Sequence, residues 1–190
     1  MDNSLISVIT VSYNAVSTIE QTILSVINQT YSNIEYIIID GGSTDGTIDI
    51  IRRYEDKIAY WVSEPDRGIY DAMNKGASKA NGEYIAFLNS DDWYELDAVS
   101  IIAQFADGKT DLISGIIKLY KNNIFLYAHG ASMDNIYNEM IAHPSTFMRR
   151  DLFGELGGYD LTYSYVADYD LMLRLSLIHI SEPTRLDVIS

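Results

Sequence analysis

The sequence predicts an α/β domain built on a mostly parallel sheet flanked by helices, Rossmann-like in plan. Two observations carry that expectation. Short β-branched apolar runs alternate with segments of helical periodicity through the first half of the chain. Several of those runs end in acidic or glycine-rich stretches, at the strand edge where sheets of this kind bind ligands. A chain of 190 residues is long enough for one such domain with its own core. No internal repeat or low-complexity linker divides it.

The elements follow in order. Leu5 to Val11 reads as a buried strand. Ser17-Thr18-Ile19-Glu20 has the spacing of a capping box, and Ile19, Ile23 and Ile27 continue at helical spacing. Glu35 to Asp40, EYIIID, is a second strand, ended by the turn-rich GGSTDG. Ile48, Ile51 and Tyr54 mark a short helix, and Ala59 to Glu64 a third strand that places Trp61 in the core. Beyond Pro65 and Gly68 a helix runs through Met73 and Ala77. Tyr84 to Phe87 is a further strand and leads into LNSDDW, Leu88 to Trp93. Leu96 to Phe105 is helical in pattern. DLISGIIKLY and IFLYAHG, separated by Lys121-Asn122-Asn123, form a predicted hairpin. Tyr169 to Leu175 is again helical, with Asp170 and Arg174 at the spacing of an ion pair.

Composition narrows the partners. The composition, 47% hydrophobic and 21% charged, is that of a globular chain rather than a disordered one. A formal net charge of −14 argues against nucleic acid and against a polybasic membrane anchor. The chain has no cysteine, hence no disulfide framework and no thiolate metal site, which fits a reducing compartment. The opening MDNSLISVITVSYN lacks the charged and long apolar regions of a signal peptide. No apolar run reaches the roughly 18 residues of a membrane span.

Acids gather at the predicted strand ends: Asp40, then Glu64 and Asp66, then the adjacent pair Asp91 and Asp92. Singly each has a structural reading. Asp40 can seed a turn with Gly41, and Asp91 or Asp92 can cap a helix beginning near Glu95. Together, at one edge of one sheet, they suit a nucleotide diphosphate. One carboxylate accepts from a ribose hydroxyl or a base N–H, and another holds Mg²⁺ or Mn²⁺, which bridges to the diphosphate. An acidic protein can bind an anion in this way. Two other nucleotide motifs are missing. There is no G-x-x-x-x-G-K-[ST] loop, and the segment after the first strand, SYNAVS, lacks the glycines of a dinucleotide site.

The motifs VSYN, DGGSTDGT, SEPDRGIYDAMNKG, LNSDDW, HPSTF and VADYDLMLR occur in the order seen in family 2 glycosyltransferases with the GT-A fold. The chain resembles that family over nearly all of Leu5 to Arg174, and within it the bacterial enzymes that build O-antigen and other surface polysaccharides. The resemblance implies inverting transfer of a sugar from a nucleotide-diphosphate donor, first of all a UDP-sugar, with Mn²⁺ or Mg²⁺. The acceptor it implies is a saccharide or lipid-linked saccharide at the cytoplasmic face, with peripheral membrane contact left open. Carried over by position, Tyr13 stacks near the base, Asp40 binds base or ribose, Asp91 sits at the ribose, Asp92 ligates the metal and Asp168 is the general base.

This chain departs from the family pattern at several positions. Ser90-Asp91-Asp92 stands where the family has D-x-D, so the first acid is absent. Ala167 replaces the glutamate that often precedes the base. Gly41 stands where many relatives carry a second aspartate that reads uracil, which leaves the base open. Met73 stands where many carry an arginine, making Arg67 the candidate cation near the diphosphate; its other reading is a solvated loop residue. Asp168 also fits as the N-cap of a helix starting at Tyr169. His143 fits either a place near the diphosphate or a packing role, and Trp93 either a sugar platform or core.

Two competing functions belong beside the transferase: a non-catalytic nucleotide-sugar-binding domain, and a sugar-nucleotide pyrophosphorylase. The pyrophosphorylase wants a glycine-rich basic loop where this chain has SYNAVS. LSLIHISEPTR, Leu175 to Arg185, resembles the translation of a sequencing-library adapter. The expectation is a glycosyltransferase domain over residues 1–174, incomplete at its C-terminus, and a non-native tail over 175–190 in which His179 has no function. The alternative is a natural C-terminal helix ended by Pro183.

Overall fold

The computed structural model describes residues 4–121, 124–130 and 142–178. The first strand, β1 (Ile6–Ser12), is buried along its whole length. A helix, α1 (Ile19–Ile27), returns the chain to β2 (Ile34–Asp40), which pairs parallel to β1. Then α2 (Thr47–Arg53) leads to β3 (Tyr60–Ser63), parallel to β2, and α3 (Ile69–Lys79) crosses back to β4 (Tyr84–Asn89), parallel to β1 on its other side. The next elements are α4 (Ala98–Ala103), β5 (Leu112–Ser114), and a ribbon of β6 (Ile117–Lys121) and β7 (Ile124–His129). After the segment around His143 come β8 (Thr146–Arg149), α5 (Arg150–Glu155) and α6 (Ala167–Ile178). The main sheet has the order β3-β2-β1-β4-β8-β5, with β8 antiparallel to both neighbours.

Strand alternation divides the core between the two faces. Ile9, Val11, Ile37, Ile39, Ile85 and Phe87 point to the side covered by α3, α5 and α6. Ile6, Val8, Tyr36, Ile38, Ala86 and Leu88 point to the side covered by α1, α2 and α4. Both faces are apolar because helices cover both, so the strands read as continuous apolar runs. Register then sets the site. Asp40 pairs with Ser12 on one side and Ser63 on the other, and Asn89 pairs with Val11, so four strand ends lie in one row. The crossovers diverge between β1 and β4, and that divergence opens a crevice at their carboxyl ends.

Several local expectations are corrected. No capping box forms at α1. Thr18 takes the N-cap position without a side-chain cap, and its hydroxyl donates back to the Ala15 carbonyl at 3.4 Å. Glu20 instead accepts from the Tyr54 hydroxyl at 2.7 Å and pairs with Arg53 at 3.3 Å. The predicted hairpin is shorter than expected. Leu112–Ser114 joins the main sheet through β8, and only β6 and β7 form the ribbon, with residues 122 and 123 outside those described. Trp61 is half-buried at the margin of the core. Asp97, not Asp91 or Asp92, precedes α4. Helix α6 begins at Ala167, so Asp168 lies within its first turn and does not cap it. The ion pair of Asp170 with Arg174 is formed, at 2.8 Å. Residues 175–178 continue α6 and Leu175 is buried, whereas His179, Pro183 and the rest of 179–190 lie outside the described residues. No helix among the described residues is long and apolar enough to cross a membrane.

The seating of α3 on β1 and β2 depends on Gly76. A methyl group there would collide with Ile9 Cγ2 and stand 3.3 Å from Ile39 Cγ1. Overpacking of this kind costs about 1–3 kcal/mol. Gly76→Ala is therefore expected to lower the unfolding free energy by that amount, read as a lower urea midpoint at an unchanged m-value. An unchanged midpoint would mean that α3 shifts on the sheet without cost.

Candidate active site

Asp40 occupies the centre of the row of strand ends and is fully buried. Its Oδ1 accepts from the Ser12 hydroxyl at 2.9 Å and the Ser43 hydroxyl at 2.5 Å. Its Oδ2 accepts from the Ser63 hydroxyl at 2.6 Å and from the backbone N–H groups of Ser43 and Gly42 at 2.8 and 3.1 Å. Burial alone would raise its pKa, but these donors win and hold it below the ordinary aspartate value. The expectation that Asp40 touches base or ribose is corrected on this ground. Both oxygens are enclosed and engaged, so the carboxylate binds the ends of β1, β2 and β3 to one another.

The loop after β1 is tied to the loop after β2 by side chains. Asn14 N–H donates to Ser43 Oγ at 2.8 Å, Ala15 N–H to Thr47 Oγ1 at 2.8 Å and Val16 N–H to Asp45 Oδ2 at 3.0 Å. Tyr13, between these anchors, is 67% exposed, the state of a ring available for stacking. Arg67 lies in the adjoining loop, also exposed, but its guanidinium is paired with Asp71 at 3.1 Å. Lys75 joins the same carboxylate at 3.5 Å and Glu64 at 3.1 Å. Met73 faces the core and is 1% exposed, so its position supplies nothing to the crevice.

On the other side of β1, the end of β4 begins a hydrogen-bonded line through the site. Asn89 Nδ2 lies 3.3 Å from Asp92 Oδ2 and 3.1 Å from His143 Nε2. His143 Nδ1 lies 3.3 Å from Asp168 Oδ2, and the Tyr70 hydroxyl donates to Asp168 Oδ1 at 2.9 Å. With Asn89 donating to Nε2, the imidazole proton belongs on Nδ1, where it donates to Asp168. Five residues from four segments distant in sequence thus meet in one network. Burial raises the affinity of Asp168 for a proton, but the donors His143 and Tyr70 outweigh it and hold the carboxyl below its usual value. Burial, then the hydrogen bond to Asp168, pushes the Tyr70 phenol up to about 12, so it remains a donor at neutral pH. Ala167, directly before Asp168, is wholly buried.

Asp92 stands in the opposite condition. Burial first, then the neighbouring Asp91 charge, raise its pKa, and His143 and Asn89 offset this only in part. Asp91 is exposed beside it. Asn89 Oδ1, next to Asp92, is buried and accepts no hydrogen bond among the described residues. An under-compensated carboxylate beside an orphaned carbonyl oxygen suits a hard divalent cation. No group of three or more His, Cys, Asp or Glu side chains converges among the described residues, so the protein would contribute Asp92 and little else, as Mg²⁺ and Mn²⁺ sites completed by substrate phosphates do. Trp93 is 39% exposed and packs its ring 5.5 Å from that of Tyr120 on the ribbon. Sequence reasoning did not single out Asn89 or Tyr70. Both lie inside the quoted motifs, but their use depends on partners far along the chain.

The chain also matches known proteins. A family model described as Glycosyl transferase family 2 matches residues 7–164. A PGL/p-HBAD biosynthesis glycosyltransferase of Mycobacterium tuberculosis is 32% identical over 177 residues, covering 90% of this chain and 69% of the relative. A putative teichuronic acid biosynthesis glycosyltransferase, TuaG of Bacillus subtilis, is 43% identical over 104 residues, covering 53% of this chain and 41% of the relative. The structure of S. aureus TarS 1-349 in complex with UDP-GlcNAc superposes with a TM-score of 0.74 at 21% identity, covering 90% of this chain and 53% of that one. The mannosyltransferase PcManGT from Pyrobaculum calidifontis, in complex with GDP-Man and Mn²⁺, gives 0.76 at 21% identity, covering 97% and 55%. The chain spans about half the length of those solved chains.

The raised pKa of Asp92 has a consequence for stability. A carboxyl with raised folded-state pKa stabilises the fold at acid pH, and that contribution is lost as pH rises through the raised value. At neutral pH the ionised group therefore opposes folding of the free protein. Asp92→Asn is expected to raise the melting temperature at pH 7 without added ligand, and to raise it less at pH 4. A midpoint that falls at pH 7 would mean that the charge is already compensated.

Proposed function

Since the chain belongs to glycosyl transferase family 2, we propose that it moves a sugar from a nucleotide-diphosphate donor, a UDP-sugar first of all, to a hydroxyl of a growing surface polysaccharide or lipid-linked oligosaccharide. The reaction inverts the anomeric carbon. It takes place at the cytoplasmic face of the membrane with peripheral contact. The observation that carries the reading is the line from Asp92 through Asn89 and His143 to Asp168, which joins an under-compensated carboxylate to an ionised one across a single crevice. The names of the mycobacterial and Bacillus relatives support an acceptor of the cell-surface kind.

Each residue then has a task. Tyr13 stacks on the base, and Asp91 accepts from the ribose. Asp92, with Asn89 Oδ1 nearby, would hold Mn²⁺ or Mg²⁺, and the ion would supply positive charge to the diphosphate leaving group. Arg67 adds a cation once the diphosphate draws it from Asp71. Asp168 removes the proton of the acceptor hydroxyl as its oxygen bonds to the anomeric carbon and the bond to the diphosphate breaks. The two donors that hold Asp168 ionised also aim it. They lower its basicity, but they keep it in the deprotonated form throughout the neutral range.

The test separates binding from transfer. A thermal melt of the chain is expected to rise with UDP and Mn²⁺ together and not with either alone. Asp92→Asn should abolish the joint shift. Asp168→Asn should keep it while lowering UDP release from the sugar donor by about 10²–10⁴-fold. Equal loss of the shift in both variants would overturn the assignment of roles. His143→Ala and Tyr70→Phe should also keep the shift, with turnover reduced by about tenfold each, as expected for donors that aim a base and do not contact the donor nucleotide.

A further inference from the structure

Gly41 is a glycine that its backbone does not require. Its φ lies outside the positive range that marks Gly42 and Gly46 nearby. What it provides is space. A Cβ at Gly41 would lie 2.6 Å from Asp66 Oδ2, 3.2 Å from Asp66 Cγ and 3.4 Å from Tyr13 Cδ2. The Asp66 carboxylate therefore fills the volume that a side chain at position 41 would occupy, and it does so beside the exposed Tyr13 ring. The loop that delivers it, between β3 and α3, explains only half of the carboxylate. Oδ1 accepts from the Gly68 N–H at 2.8 Å, which shapes the turn into α3. Oδ2 accepts no hydrogen bond among the described residues, and the nearby cations Arg67 and Lys75 are paired with Asp71 and Glu64. A free acceptor oxygen is thus placed next to an aromatic platform, and the missing Cβ of Gly41 is what lets it reach that position.

The geometry points to Asp66 as the residue that selects the nucleobase. With a base stacked on Tyr13, Oδ2 accepts from an imino N–H, the group that uracil and guanine carry and cytosine lacks. Cytosine presents a lone pair at the same ring position, and a carboxylate repels it. Asp40, enclosed by five donors, cannot perform this reading. The inference rests on the nucleotide-donor reading above and extends it to base selection.

Calorimetric titration of the whole chain with UDP, GDP and CDP at saturating Mn²⁺ tests it. The wild type is expected to bind UDP or GDP at least about tenfold more tightly than CDP, the discrimination typical of one hydrogen bond to a charged acceptor. Asp66→Asn keeps an acceptor for Gly68 N–H and turns an NH₂ group towards the base, so it should weaken the favoured nucleotide, strengthen CDP and bring the ratio near one. Gly41→Ala should move the ratio the same way with Asp66 intact, by displacing its side chain. A wild type that binds UDP, GDP and CDP alike, or an Asp66→Asn variant that loses all three equally, would overturn the role of Asp66 and leave the donor site standing. Absence of binding to every nucleotide with Mn²⁺ would overturn the donor reading and the selection with it.

Discussion

The buried carboxylate of Asp40 is the interaction on which the Tyr13 side of the crevice depends. A charge enclosed between strand ends is costly unless donors surround it. Here serines from the ends of β1 and β3, a serine of the following loop and two backbone N–H groups supply them. Those same bonds fix the relative height of the strand ends and the path of the loop beyond β2. That loop in turn holds the Tyr13 segment through Ser43, Asp45 and Thr47. The exposed ring is steady because a fully enclosed group beneath it is ionised and saturated.

The Asp168 side of the crevice is built on a different logic. Asp168 is carried in by α6, from the far end of the chain, and is oriented by Tyr70 of α3 and by His143 just before β8. Because β8 runs antiparallel against β4, the segment around His143 is brought back to the carboxyl end of β4, where Asn89 meets it. The contrast between the two acids follows from their partners. Asp168 has two donors and no acid beside it in the sequence. Asp92 has one weak donor and a neighbouring aspartate. The same residue type is thus tuned towards stable ionisation in one place and towards a need for a cation in the other.

Much of this was legible in the sequence where local pattern dominates. The apolar runs found β1 to β4, and the acids at their ends marked the edge that carries the site. Legibility failed where tertiary partners decide. Asp40 looked like a ligand because a strand-end carboxylate has two possible fates, and only the three serines converging on it show that it is structural. Glu20 had capping-box spacing but found a better partner in the Tyr54 hydroxyl and Arg53, contacts between helices that no local window contains. Leu112–Ser114 was read as part of a hairpin because β propensity does not specify which strand is the partner. The role of His143 was undecidable for the same reason: its neighbours are fifty-four positions back, at Asn89, and further on, at Asp168.

The ribbon of β6 and β7 shares no ladder with the main sheet, and Ile124, Phe125, Leu126 and Tyr127 on it are all more than half exposed. Among the described residues its ladder hydrogen bonds run only between its own two strands. The ribbon nevertheless touches the segment after Asp92, through the Tyr120 ring on Trp93 and through Lys118 on Glu95. The acid loop is thus fastened to the strand end of β4, to α1 through the Thr22 hydroxyl on the Asp92 carbonyl at 2.7 Å, and to the ribbon. Opening of the ribbon would therefore free the Trp93 ring and the Glu95 carboxylate, while the Asp92 backbone stays held by Thr22 of α1.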